Sequence, residues 1–172
     1  MDIRELFADA ASRPVEAARA LPTCSPEQLN AHPLGHDNSI AWLLWHTGRE
    51  IDVQTAALSG TEEVWNAQGF RDRLDLAAAG DDIGYGHSAA EARSIHTADQ
   101  AGLVDYLAAA TASLIEYASS LSDEDFDEII DTSWDPPVTR GTRLVSIVDD
   151  AAQHVGQAAY LAGMPHLGAG VS

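Results

Sequence analysis

Residues 147–161 read IVDDAAQHVGQAAYL, and the fold turns on how this stretch is placed. Ile147, Asp150, His154, Gln157 and Leu161 advance by three or four positions, which sets them on one face of a helix. Both ends of the row are apolar, as a face turned to a core must be. Between them stand a carboxylate, an imidazole and an amide. A buried carboxylate needs a partner or a shifted pKa, and a divalent cation is one such partner. The helix is expected from about Thr142 to Ala162, with Gly163 and Pro165 stopping it.

A second stretch, residues 39–58, SIAWLLWHTGREIDVQTAAL, repeats the irregularity. This helix should begin after Asn38 or Ser39 and end near Leu58, at Ser59-Gly60. Its inward stripe would be Leu43, His46, Glu50, Val53 and Ala57, so a histidine and a glutamate again interrupt an apolar row. Upstream, Ile3, Leu6, Phe7 and Ala10 recur at helical spacing. The pattern resumes after Pro14 with Val15, Ala18 and Leu21, giving one helix broken or kinked at the proline. The segment Cys24–Leu29, CSPEQL, fits a single short turn with proline at its first helical position.

Residues 60–96 are the least regular part, divided by Gly69, Gly80, Gly84 and Gly86, and a connection of that length is often a functional loop or lid. Thr97-Ala98-Asp99-Gln100 reads as a capping box opening a third long helix, whose buried face would be Leu103, Leu107, Ala110, Leu114, Tyr117 and Leu121. Ser122-Asp123-Glu124-Asp125 starts a short acidic helix, and residues 131–141, with Pro136-Pro137, form a loop or short hairpin. Four long amphipathic segments without alternating strands predict an all-α four-helix bundle, one domain over residues 1–172, with the long connection between its second and third helices.

The net charge of −18 comes with nine basic residues, all arginine. No basic stripe offsets it, which argues against nucleic acid and anionic membranes as partners. The single cysteine, Cys24, excludes an intrachain disulfide and a cysteine-rich zinc site. The acidic start MDIRELFADAA is unlike a signal peptide, and no apolar run is long enough to span a bilayer, so a cytoplasmic protein is expected.

Two ligands at i and i+4 on one helix, with a third from a facing helix, can make three corners of a coordination shell. His46, Asp150 and His154 satisfy that pattern. The spacing alone leaves another reading open, in which His46 is a core histidine hydrogen-bonded to Glu50. Glu50 is also a competing ligand through His46-x-x-x-Glu50, and Gln157 could orient a ligand from behind. Arg49, Arg71 and Arg73 could each hold a carboxylate or be surface salt-bridge residues, and Trp42 and Trp45 fit a pocket or core packing. His32, His36, His87, His96 and His166 fall in expected loops or termini, where exposure is the default.

NSIAWLLWHTGREID, VWNAQGFRDRLDL with GYGHSAAE, and DDAAQHVGQAAYLAGM together resemble the DinB-like superfamily over nearly the whole chain, specifically the branch related to mycothiol-dependent enzymes. The resemblance implies a commonly dimeric four-helix bundle, with a divalent metal held by a histidine of the second helix and two ligands four apart on the fourth. The family's fourth-helix pattern is often His-x-x-x-His followed by Gly-Gln. His154-Val155-Gly156-Gln157 matches its second half, and Asp150 stands where a histidine is common. A carboxylate with two histidines is similar to the set of mycothiol-dependent maleylpyruvate isomerase, where the carboxylate is a glutamate. That enzyme resembles this chain only in its first domain, so its own activity is not expected.

What the resemblance implies is an enzyme with Zn²⁺, or alternatively Ni²⁺, on His46, Asp150 and His154. A low-molecular-weight thiol such as mycothiol would be its cofactor and an electrophilic small molecule its substrate, for S-transfer or isomerisation. Two other classes remain beside it, a dimeric metal-binding or interaction module without catalysis and a metal-dependent hydrolase.

Overall fold

A computed structural model describes residues 2–164. Four long helices form the bundle: α1 (Ile3–Arg19), α3 (Ile40–Ser59), α7 (Gln100–Ser119) and α9 (Arg140–Ala162). Between them lie the short helices α2 (Pro26–Leu29), α4 (Val64–Ala67), α5 (Phe70–Leu74), α6 (Ala89–Ser94) and α8 (Asp123–Asp127). A small antiparallel pair, β1 (Ile129–Asp131) and β2 (Val138–Thr139), leads into α9. Helices α1 and α3 each pack on both α7 and α9, which closes the four into an all-α bundle. Among the described residues no helix is long and apolar enough to cross a membrane.

The helix ends follow local chemistry. Ser39 caps α3 by accepting the amide of Trp42, and Gly60 closes it in the left-handed conformation. Asp2 and Glu5 form a capping box on α1. Three boundaries differ from expectation. Helix α1 runs through Pro14 as one element, without the break that the proline allowed, and the ring is buried. Helix α7 is capped by Asp99, which accepts the amide of Gly102, while Thr97 accepts from Asp99 one step earlier. Helix α9 starts two residues early, at Arg140, because the Thr139 hydroxyl accepts the amide of Thr142.

The core is centred on α3. From Ser39 to Arg49 every residue is buried, because α7, α9 and the 60–96 connection cover the helix on all sides. The stripe read from the sequence is therefore too narrow at that end, and too long at the other, where Ala57 is exposed. On α7 Leu103, Leu107, Ala110 and Leu114 are buried as expected and Tyr117 is half-buried, while Leu121, expected on the same face, lies half-buried past the helix end. The backbone of α3 comes close to α7 at Gly48, where a Cβ would lie 2.6 Å from the Tyr106 ring.

The connection itself is an ordered strap of short helices and turns. Its beginning is fixed by Asp52, whose carboxylate accepts the amides of Val64 and Trp65 at 2.8 Å and the Tyr106 hydroxyl at 2.9 Å. Its middle is fixed by Arg49, only 2% exposed, which donates to the carbonyls of Asp81 and Asp82, to Glu63 and to the Tyr106 oxygen.

Candidate metal centre

Helix α3 supplies His46, and α9 supplies Asp150 and His154 one turn apart on the side facing it. One ligand atom from each can be chosen so that all lie within 4.8 Å of one another. His154 Nε2 is 3.5 Å from Asp150 Oδ1. Two ligands about 2.1 Å from one tetrahedral ion stand about 3.4 Å apart, so this pair is spaced for a shared ion. The two imidazole planes meet at 77° with centroids 4.8 Å apart, a splayed arrangement that converges on a point and does not stack.

Hydrogen bonding decides which atoms are free to coordinate. His46 Nδ1 donates to the Ile83 carbonyl of the strap, and His154 Nδ1 donates to Gln157 Oε1 at 3.0 Å. Both rings thus turn Nε2 to the site, with the other nitrogen held by an acceptor, the usual arrangement behind a metal-ligating histidine. Asp150 Oδ2 is buried with no hydrogen-bond partner in the structure. An unsatisfied buried carboxylate oxygen is costly unless something else meets it, and a cation between two imidazoles is the partner that this donor set suits. The group therefore fits a divalent metal.

The electrostatics agree. Burial lowers the pKa of His46, which keeps that ring neutral and able to donate a lone pair. The hydrogen bond to Asp150 raises the pKa of His154, and the same bond lowers that of Asp150. Burial, with the Asp150 charge beside it, raises the pKa of Glu50.

The face of α9 requires correction. Its buried line is Leu144, Ile147, Ala151, Val155 and Ala158, one position away from the row of polar residues. Asp150 and His154 are half-buried along the seam with α3, and Gln157 is exposed. Polar residues at the edge of a seam can be reached from outside, as a ligand-binding group must be. His46 is indeed buried, and its Nδ1 bonds to Ile83, a partner the sequence reading left out in favour of Glu50.

None of the three arginines singled out from the sequence faces the site as a free cation. Arg49 holds the strap, Arg71 pairs with Asp81 at 2.6 Å, and Arg73 pairs with Asp99 and Asp105. The Arg71 bond, with a second from Trp65, brings the pKa of Asp81 down to about 2. Trp42 lines the site: it stacks on His46 and meets His154 edge-on at 6.2 Å. Trp45 is wholly buried and donates to the Gly80 carbonyl. His36 and His96 are exposed and His32 is half-buried, while His166 lies outside the described residues. The expectation for His87 fails, because its side chain is largely covered, accepting from Trp42 Nε1 and stacking on Trp45. Its placement depends on the fold of the strap, which carries no helical period to read.

Comparison with known families decides the affiliation, since the profile of the DinB superfamily matches residues 11–158. The chain belongs to the DinB superfamily. Among solved structures it is similar to a conserved protein from Enterococcus faecalis, at 35% sequence identity and a TM-score of 0.83 over 94% of this chain and 96% of that one. No curated protein matches it. In this DinB bundle a cavity of about 630 Å³ lies at the start of α3 and the end of α9. Leu43, one turn from His46, and Gln157, the partner of His154, line it together with His36, Asn38, Gln153 and Tyr160.

Proposed function

We propose that this DinB protein is a divalent-metal enzyme that uses a low-molecular-weight thiol, mycothiol in the branch it resembles, to modify an electrophilic small molecule by S-transfer or isomerisation. The observation that carries the reading is the convergence of His46, Asp150 and His154, whose ligand atoms lie within 4.8 Å of one another, with Asp150 Oδ2 buried and unpartnered. Three protein ligands are the number that leaves a coordination position for an exchangeable group. A bound Zn²⁺, or Ni²⁺ in its place, supplies an acidified thiol at neutral pH. His46 and His154 donate lone pairs, Gln157 orients His154, and Trp42 shields the site on the His46 side. The cavity at the start of α3 and the end of α9, which sets His36, Asn38, Gln153, Gln157 and Tyr160 beside Leu43 and Leu161, is the proposed seat of such a cofactor.

A hydrolytic reading has one observation of its own. Glu50 is half-buried, its pKa raised by burial and by the Asp150 charge, and in this reading it would serve as the general base. Elemental analysis of native protein, with calorimetric titration of mycothiol, separates the readings. Stoichiometric metal with saturable thiol binding supports the thiol enzyme. Stoichiometric metal without thiol binding moves the assignment to hydrolysis, and absence of metal moves it to a non-catalytic module.

A homodimer in the cytoplasm completes the proposal. Helices α1 and α9 leave an apolar groove that runs along Phe7, Ala10, Val145, Val148 and Ala159, with Leu6 56% and Val145 64% exposed at its rim. A second copy applying the same face would cover it.

A further inference from the structure

We infer that the strap segment 83–87 is the positioning element of the centre: it crosses α3 at Gly84 so that the Ile83 carbonyl takes His46 Nδ1 and leaves Nε2 as the ring atom offered to the metal. The inference rests on the metal reading above. A neutral imidazole has one donor nitrogen and one acceptor nitrogen, so a fixed carbonyl on Nδ1 selects both the tautomer and the ring angle. Without that carbonyl His46 could present either nitrogen, and only one lies toward α9.

The approach depends on Gly84. Its φ is +88°, a conformation that side chains rarely adopt, and an added Cβ would lie 2.9 Å from His46 Nδ1, 2.9 Å from the Trp45 ring and 3.2 Å from the Trp42 ring. All three neighbours are buried aromatic rings, so the strap would have to lift. Lifting removes the carbonyl one residue earlier. The segment is tied on both sides of this crossing. Before it, Arg49 donates to the carbonyls of Asp81 and Asp82 at 3.2 and 3.0 Å, and Asp82 Oδ1 accepts the amides of Ile83 and Gly84. After it, His87 Nδ1 accepts from Trp42 Nε1 at 3.2 Å, holding the indole that stacks on His46. Gly84 and His87 are positioning residues, since neither offers an atom to the metal group.

The test uses the full chain stripped by chelator, with ¹⁵N-resolved imidazole spectra to assign the His46 tautomer and Zn²⁺ titration to measure affinity. The wild type should show His46 protonated at Nδ1 in the metal-free state. Gly84→Ala should give a mixture of tautomers and a Zn²⁺ affinity lower by about 10- to 100-fold, the usual effect of losing a partner behind a ligand. His87→Phe keeps a ring against Trp45 but cannot accept from Trp42, and should also weaken Zn²⁺. His87→Asn, which restores an acceptor near the Nδ1 position, should recover most of the loss. A merely structural role would not separate Phe from Asn. A wild type protonated at Nε2, or a folded Gly84→Ala protein with a single Nδ1–H form and unchanged affinity, overturns the inference. If Gly84→Ala does not fold, the His87 pair decides, and equal affinities in Phe and Asn overturn it. A wild type that binds no Zn²⁺ removes the functional reading, whereas its tautomer still decides the positioning role.

Discussion

The indole of Trp42 lies flat on the imidazole of His46, with ring centroids 4.5 Å apart and planes 20° from parallel, while its edge points at His154 from 6.2 Å. An ion held by both histidines would sit within a few ångströms of that indole. Titration with Ni²⁺ or Cu²⁺ should therefore quench tryptophan emission saturably at one equivalent. Trp42→Phe should lose most of the quenching and keep stoichiometric binding. Equal quenching in both proteins would place the ion elsewhere.

The ligand set makes a sharper claim. His154→Ala should abolish stoichiometric metal while circular dichroism stays helical, since a site at the edge of a seam adds little to the core. Asp150→Asn keeps the volume but removes the charge, and affinity should fall severalfold or more. Glu50→Gln should act mildly. If metal content survives Asp150→Asn and is lost in Glu50→Gln, the carboxylate has been misassigned.

Metal binding should also depend on pH with a sign fixed by His154. Its pKa is raised by the hydrogen bond to Asp150, so an incoming ion must displace a proton over a range reaching above the ordinary histidine value. Affinity should therefore fall as pH drops through that raised pKa, whereas His46, whose pKa is lowered by burial, is already neutral there. In Asp150→Asn the main cause of the elevation is gone. The acid edge of binding should shift to lower pH even as the affinity at its plateau weakens. Calorimetric titration across pH 5 to 8 measures both, and an edge that does not move would show that His154 is not the group being displaced.

How much of this was legible in the sequence differs from element to element. The long helices, the ends of α3 at Ser39 and Gly60 and the start of the short α8 at Ser122 were readable because capping chemistry and apolar period act within a few residues. His46, Asp150 and His154 stood out because polar groups broke an apolar row. The row itself was off by one position on α9, since Ala151 and Ala158, two of the buried residues, are too small to mark a buried face by hydrophobicity. The partners of His46 were out of reach. Ile83 acts through its backbone and Gly84 through having no side chain, and both come from a segment whose path is set by Arg49 and Asp52 across the bundle.

The groove between α1 and α9 is the face on which the proposed dimer would form. Val145→Glu or Leu6→Glu puts a carboxylate on an apolar rim without touching the core. Either variant should sediment as a monomer at concentrations where the wild type is dimeric, with metal content unchanged. Wild-type protein that is monomeric at high concentration would remove the dimer, and a charge variant that remains dimeric would move the interface off this face.

Removing metal and removing the strap's anchor should have separable effects on stability. The buried aromatic and aliphatic core around α3 is large, and the metal group lies at its margin, so chelation should leave the cooperative thermal transition nearly where it was. Arg49 is different. It is the cation beside the buried Asp52, 3.8 Å away, and it also ties down the Asp81 and Asp82 carbonyls. Arg49→Ala leaves that carboxylate without a counter-charge, for which the expected cost is about 3–5 kcal/mol. Tyr106→Phe removes one hydroxyl from the same network and should cost only about 1 kcal/mol. Because the freed carbonyls directly precede Ile83, Arg49→Ala should weaken metal binding as well as lower the melting temperature, whereas Tyr106→Phe should spare the metal. Thermal melts with and without chelator, paired with Zn²⁺ titrations on the folded variants, read both quantities. If Arg49→Ala lowers stability yet binds Zn²⁺ as the wild type does, the network supports the bundle alone, and the strap keeps its position over His46 without help from Arg49.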